Sequence, residues 1–285
     1  MPARVDPTIV EQRIVEQAAR VRAYGALTAW AALRWRGAAY FKGDDAAGDP
    51  LPVPLAVGRA CVRPHPGILV VRRQTPLIEW NVLDDVPCAI AARALFDEII
   101  RLSAVRPAVV AIDMAAAAGL LTVAEFWAFL QRHIRPRNGV VLAREATLLA
   151  IDDSWSPQES WMRLCWVLDA ALPQPLCNTP LFDLDENLLG IPDLFDPVAG
   201  VVGEYQGEVH SSPGRRRADD ARSQRFLDHG LAYFEVGAGQ LGDIRTATRM
   251  RQVRVQAKFL PPDQRAWTLE QPAWWRERDQ QRRAS

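Results

Sequence analysis

The sequence predicts a two-domain protein of mixed α/β class. Three observations predict it. A chain of 285 residues is long enough for about two domains whose cores need no disulfides. Its 49% hydrophobic content excludes a disordered chain. Its pattern also changes near residue 150. Before that point, helical periodicities surround a small strand cluster. After it, the order reads α-β-β-β-α-β-α, a layered mixed domain. The expected divisions are 1–150, 151–260 and a tail, 261–285.

In residues 8–22, Ile9, Ile14, Val15, Ala18 and Val21 recur near one helical face. Thr28 reads as the cap of a second helix, running to about Arg36. The Gly/Asp/Pro-rich stretch Gly43 to Pro52 reads as a loop. Strands are expected at Val53–Val57, Ile68–Arg72 and Leu77–Trp80, then helices at 89–103, 106–117, 122–134 and 140–151. Ser156 opens a helix to about Ala171, where Pro173 and Pro175 break the pattern. Strand-like segments follow at Thr179–Asp183, Leu188–Phe195 and Val201–Gln206. An Arg-rich helix (215–229), a strand (Leu231–Val236) and a helix (240–257) complete the domain. The tail, with Trp267, Trp274 and Trp275, is expected to be extended and docked by its tryptophans.

The formal net charge is zero, which at face value argues against a generally basic nucleic-acid binder. By segment the balance differs: net +4 over 1–150, −10 over 151–210 and +6 over 211–285. An acidic pocket beside a basic groove gives that pattern, and so do two oppositely charged surfaces without a role. The only lysines are Lys42 and Lys258; the remaining basic residues are Arg, whose planar fork suits phosphate. Cys61, Cys88, Cys165 and Cys177 form no Cys-x-x-Cys pair and read as buried thiols in a reducing compartment. No signal peptide and no apolar run of about 18 residues is seen, so a cytoplasmic protein that does not span a membrane is expected.

One stretch concentrates chemistry. Asp193 ends a strand, Asp196-Pro197 opens a turn, and Gly200-Val201-Val202-Gly203-Glu204-Tyr205-Gln206 returns. A hairpin would bring Asp193 to face Glu204, with Glu204 and Gln206 on one strand face. Converging carboxylates raise a pKa or recruit a hard cation such as Mg²⁺ or Mn²⁺. His210 could serve as acid/base or phosphate ligand, or be solvated. Arg215, Arg216, Arg217 and Arg222 offer phosphate contacts, or simply a solvated helix face. Glu159 fits a capping box with Ser156 and Pro157, and it could also line the site. Asp193 has its own plain reading as the start of a turn. No Walker or Rossmann glycine loop and no Gly-x-Ser-x-Gly elbow is present.

Residues 154–258 resemble a PD-(D/E)XK restriction-endonuclease-like domain, and within it the Vsr-like group of short endonuclease domains from actinobacteria. The matching segments are Ser156-Pro157-Gln158-Glu159-Ser160-Trp161-Met162-Arg163, Ile191-Pro192-Asp193-Leu194, Glu204-Tyr205-Gln206-Gly207-Glu208-Val209-His210 and Asp219-Asp220-Ala221-Arg222, with Gly230 before the next strand. Residues 25–150 loosely resemble AbiEi-type antitoxins, through Gly25–Arg34 and Ala92-Arg93-Ala94-Leu95-Phe96-Asp97-Glu98. The resemblance implies a Mg²⁺- or Mn²⁺-dependent DNA endonuclease in defence or repair. In it Asp193 and Glu204 hold the metal, Glu159 assists, Gln206 positions water and His210 protonates or binds phosphate. Gln206 departs from the Lys of the superfamily and the Asp of the subgroup, which implies a loss of about 10²–10⁴-fold in rate. The alternatives are a DNA-binding antitoxin-type regulator on a degenerate nuclease fold, with a partner toxin, and a structural or interaction protein that kept only the fold.

Overall fold

Near residue 152 the chain divides into two units, Met1–Asp152 and Asp153–Ser285. They are seen in a computed structural model that describes all residues except 1–5, 7, 21–24, 59–62, 64, 73–78, 134–138, 208–212 and 285, and gives no side-chain description for 133, 213–219, 279–280 and 282–284.

The first unit contains α1 (Val10–Ala18), β1 (Ala26–Leu27), α2 (Ala29–Trp35), β2 (Val53–Ala56), β3 (Ile68–Val71), β4 (Trp80–Leu83), β5 (Val86–Ala89), α3 (Ala91–Leu102), α4 (Val105–Ala117), α5 (Val123–His133) and α6 (Val140–Leu149). Its sheet runs β3-β2-β1-β5-β4. The helix expected over 8–22 is shorter. Thr28 does occupy the N-cap of α2, but its hydroxyl donates to Asp97 Oδ2 at 2.6 Å. A buried carboxylate takes the hydroxyl in place of the cap bond. The strand expected at Leu77–Trp80 begins at Trp80 and forms a hairpin with β5, through Asp84-Asp85 at φ +49 and +60; residues 73–78 lie outside the described part. Burial in this unit is partly ionic. Arg93 donates to Glu79 Oε2 at 3.0 Å and to Asp97 Oδ2 at 3.2 Å, and Glu98 accepts from the Trp30 N–H and from Arg101.

The second unit contains α7 (Pro157–Leu164), a π-helical turn (Cys165–Asp169), β6 (Leu181–Asp183), β7 (Leu188–Gly190), β8 (Leu194–Asp196), β9 (Val201–Gln206), α8 (Pro213–Asp228), β10 (Ala232–Gly237), α9 (Ile244–Gln256), β11 (Trp267–Thr268) and α10 (Ala273–Ala284). The mixed α/β class is therefore observed. The single helix expected over 156–171 ends as α-helix at Leu164. The segment Leu188–Phe195 is split into β7 and β8, where Pro192 can give no ladder N–H. The predicted tail is folded, not extended. Its β11 pairs with β6, and Trp274 and Trp275 set their rings against Phe182.

Two three-stranded sheets result, β10-β9-β8 and β11-β6-β7. β8 is antiparallel to β9, whereas β10 is parallel to it, with α8 as the crossover. Apolar residues cover both faces of β9. One face meets Met162, Trp166, Phe234, Val236 and Met250. The other, through Val202, meets Phe195, Phe226 and Leu231. Gly203 is required by this packing, because a Cβ there would lie 2.3 Å from Phe234 Cζ.

Candidate functional site

The turn between β8 and β9 fixes the approach of the two strands. Asp196 Oδ1 accepts from the Val198 and Ala199 N–H groups, and Gly200 turns the chain at φ +71. The register pairs Leu194 with Gly203. Asp193, one residue before β8, is thereby placed beside Glu204 and Tyr205, and its Oδ2 accepts the Tyr205 N–H at 2.8 Å.

Strand alternation puts Val202, Glu204 and Gln206 on the face under α8. Glu204 is 8% exposed. Its Oε2 is paired with Arg222 of α8, and its Oε1 is buried with no hydrogen-bond partner among the described residues. Burial pushes the Glu204 carboxyl up to about 7; Arg222 opposes the rise, and the charges of Asp193 and Glu235 add to it. Asp193 is pushed up to about 6, again by burial first, with the Tyr205 hydrogen bond opposing and the Glu159 charge adding.

Glu159 carries out its capping role. Its N–H donates to Ser156 Oγ at 3.2 Å, and its Oε2 accepts from the Trp155 N–H at 2.9 Å and from Asn178 Nδ2 at 2.7 Å. It also stands close enough to Asp193 to disfavour its charge. Gln206 is exposed and donates from Nε2 to Glu235 Oε1 at 2.7 Å. The amide nitrogen, not the carbonyl expected to face a cation or water, is therefore the committed group.

Arg222, read as a phosphate contact or part of a solvated helix face, turns its guanidinium to Glu204, because a buried carboxylate requires a counter-charge. His210 lies outside the described residues. The side chains of Arg215, Arg216 and Arg217 lie outside the described part as well, although their backbone is in α8.

Two residues were not singled out from sequence. Glu235 of β10 is in register with Glu204, and the Tyr233 hydroxyl donates to Glu235 Oε1 at 2.8 Å. The signal was present as a Glu two residues after a Tyr on a strand beside β9. What sequence does not provide is the β9–β10 register.

The donor set of Asp193 and Glu204, with one orphaned buried oxygen, fits a hard cation held by two carboxylates. Among the described residues no group of three or more His, Cys, Asp or Glu is gathered to hold a metal. Among the described residues, no helix is long and apolar enough to cross a membrane. No family model, curated protein or solved structure matches this chain.

Proposed function

We propose that the second unit is a metal-dependent DNA endonuclease of the PD-(D/E)XK kind, acting in the cytoplasm in defence or repair. One observation carries the reading: two buried carboxylates with raised pKa values, Asp193 and Glu204, meet where an antiparallel strand joins a parallel pair. Carboxylates raised by burial together with a specific charge neighbour are candidates for a functional site. Asp193 and Glu204 would hold Mg²⁺ or Mn²⁺, which supplies charge neutralisation at phosphate and a more acidic water. The Tyr205 N–H holds Asp193 in place, Asn178 and the Trp155 N–H hold Glu159, and Arg222 neutralises Glu204 until the site is used.

The test is cleavage of duplex, mismatched and single-stranded DNA with Mg²⁺ or Mn²⁺, set against Asp193→Ala and Glu204→Ala. Equal behaviour of all three proteins would end the reading. A second reading, a DNA-binding antitoxin-type regulator with a toxin partner, draws on two observations. Glu204 is already neutralised by Arg222, and Gln206 is engaged with Glu235. Under it the wild type binds DNA and no metal restores cutting.

A further inference from the structure

The second unit carries a cationic surface that the proposed chemistry does not use. Residues 244–258, which are α9 and its exit, hold Arg245, Arg249, Arg251, Arg254 and Lys258 and no Asp or Glu. Two of these are engaged within the fold. Arg254 pairs with Asp196 at 2.7 Å, and Arg251 donates to the carbonyls of Asp169 and Ala170. Arg245 and Arg249 are not absorbed in this way. Arg245 has a side chain 91% exposed and comes only within 4.0 Å of Asp243. Arg249 is exposed and gives one N–H to the Glu235 carbonyl at 2.9 Å. Together with Gln240, Asp243 and Thr246 they line a hollow of about 200 Å³ over the end of β10.

The hollow lies at the same end of the sheet as the proposed site but on its opposite face, over Phe234 and Val236 rather than Glu235. Gln206 at the end of β9 is in register with Gly237, and the Ala238 N–H donates to the Gln206 carbonyl. The loop from β10 to α9 therefore starts beside Gln206, and Arg249 is bonded to the backbone of Glu235, the residue paired with Glu204. An acidic site repels phosphate, so a polyanion lying over it needs cations at its flank. One helical turn separates Arg245 from Arg249, about 6 Å along the axis, comparable to the separation of successive phosphates on a strand. Thr248, whose hydroxyl donates to the Ile244 carbonyl, and Gln252 are exposed between and beyond them, with exposed Ile244 beside Arg245. Ala247 and Met250 of α9 are packed in the core, whereas Ile244 and Val255 near its two ends are exposed.

We infer that α9 is a nucleic-acid backbone contact, with Arg245 and Arg249 on successive phosphates of DNA that enters the Asp193–Glu204 site. The inference rests on the nuclease reading for its occupant and extends it to a second helix. The experiment is fluorescence anisotropy of the full chain with a short labelled duplex over a salt series, without divalent metal. Arg245→Gln/Arg249→Gln is compared with the equal charge change Arg144→Gln/Arg278→Gln. Arg245→Gln alone and Gln252→Glu serve as variants that leave the Glu235 bond intact. The α9 double variant should bind about tenfold more weakly. Its slope of log K on log salt should fall by about 2, and the control should match wild type. Gln252→Glu should also weaken binding. If all the α9 variants bind with wild-type affinity and slope, the inference is overturned, while loss of cutting in Glu204→Ala would keep the nuclease reading alive. Wild type that binds no DNA, with or without Mn²⁺, removes both. Wild type that prefers anionic vesicles to the duplex overturns the inference.

Discussion

Gln206 and Glu235 join two parallel strands through one side-chain hydrogen bond of 2.7 Å, with the amide as donor. An ammonium at the same place would keep the donor and add a charge. Gln206→Lys is therefore expected to fold as wild type does, and, on the nuclease reading, to raise single-turnover cleavage by about 10–100-fold. Gln206→Glu would put like charges together and lower stability by up to about 1 kcal/mol. Thermal melts and single-turnover assays check the pair; a Lys variant that cuts no faster argues against a missing lysine as the limit on rate.

Arg222 offsets part of what burial costs a charged Glu204 under α8. At pH 8, Arg222→Gln is expected to destabilise by about 1–3 kcal/mol. That is below the full loss for a buried pair, because the Arg222 side chain is 36% exposed. Near pH 5 the loss should shrink, since Glu204 is then protonated and needs no partner. Urea melts at the two pH values, with Arg222→Gln/Glu204→Gln as the rescue, would show this.

The raised carboxylates set a pH dependence of stability. Asp193 is pushed up to about 6 and Glu204 up to about 7, above the unfolded values of about 4. Between these limits the folded chain holds protons that the unfolded chain has lost. Stability should therefore fall as pH rises from about 4 to about 7, by several kcal/mol in all. Asp193→Asn and Glu204→Gln should each flatten the curve. Calorimetric melts across that range decide it, and a wild-type melt that rises steadily instead would contradict the burial of these groups.

Packing at β9 yields a sharper expectation. Gly203→Ala would drive a methyl group to 2.3 Å from the Phe234 ring, and about 1–3 kcal/mol should be lost. Phe234→Leu in the same chain should recover part of it. Equilibrium unfolding in urea measures both.

In the first unit, Arg93→Met should be among the most damaging single changes, at about 3–5 kcal/mol. It removes the cation between buried Glu79 and Asp97. A melting temperature within a degree or two of wild type would show that the cluster is dispensable.

Which parts were legible follows from how local the signals are. The cap of α7 is local: Ser156, Pro157 and Glu159 announce it, and it is present. β9 was readable because its apolar run is interrupted only by Glu204. The Asp196 turn was readable because Asx chemistry acts within three residues. Other elements depend on distant partners. β1 has two residues and exists only between β2 and β5. The β4–β5 turn uses two aspartates in left-handed conformation, without the Asn-Gly or Asp-Gly pair that usually marks it. The pairing of Arg222 with Glu204 and the register of Glu235 are set by how α8 and β10 return to β9, which periodicity does not encode. Helix–strand sorting was therefore mostly accessible, while the wiring of the site was not.

The late pairing of β11 with β6 carries a consequence in time. Thr268 meets Phe182, 86 residues earlier in the chain. At about 5–20 residues per second, a ribosome adds that stretch in roughly 4–17 s. During that interval the β6 edge is synthesised but uncovered, an open hydrogen-bonding margin of the kind that seeds aggregation. Slow synthesis of the last hundred residues should therefore lower the soluble yield more than slow synthesis of the first hundred.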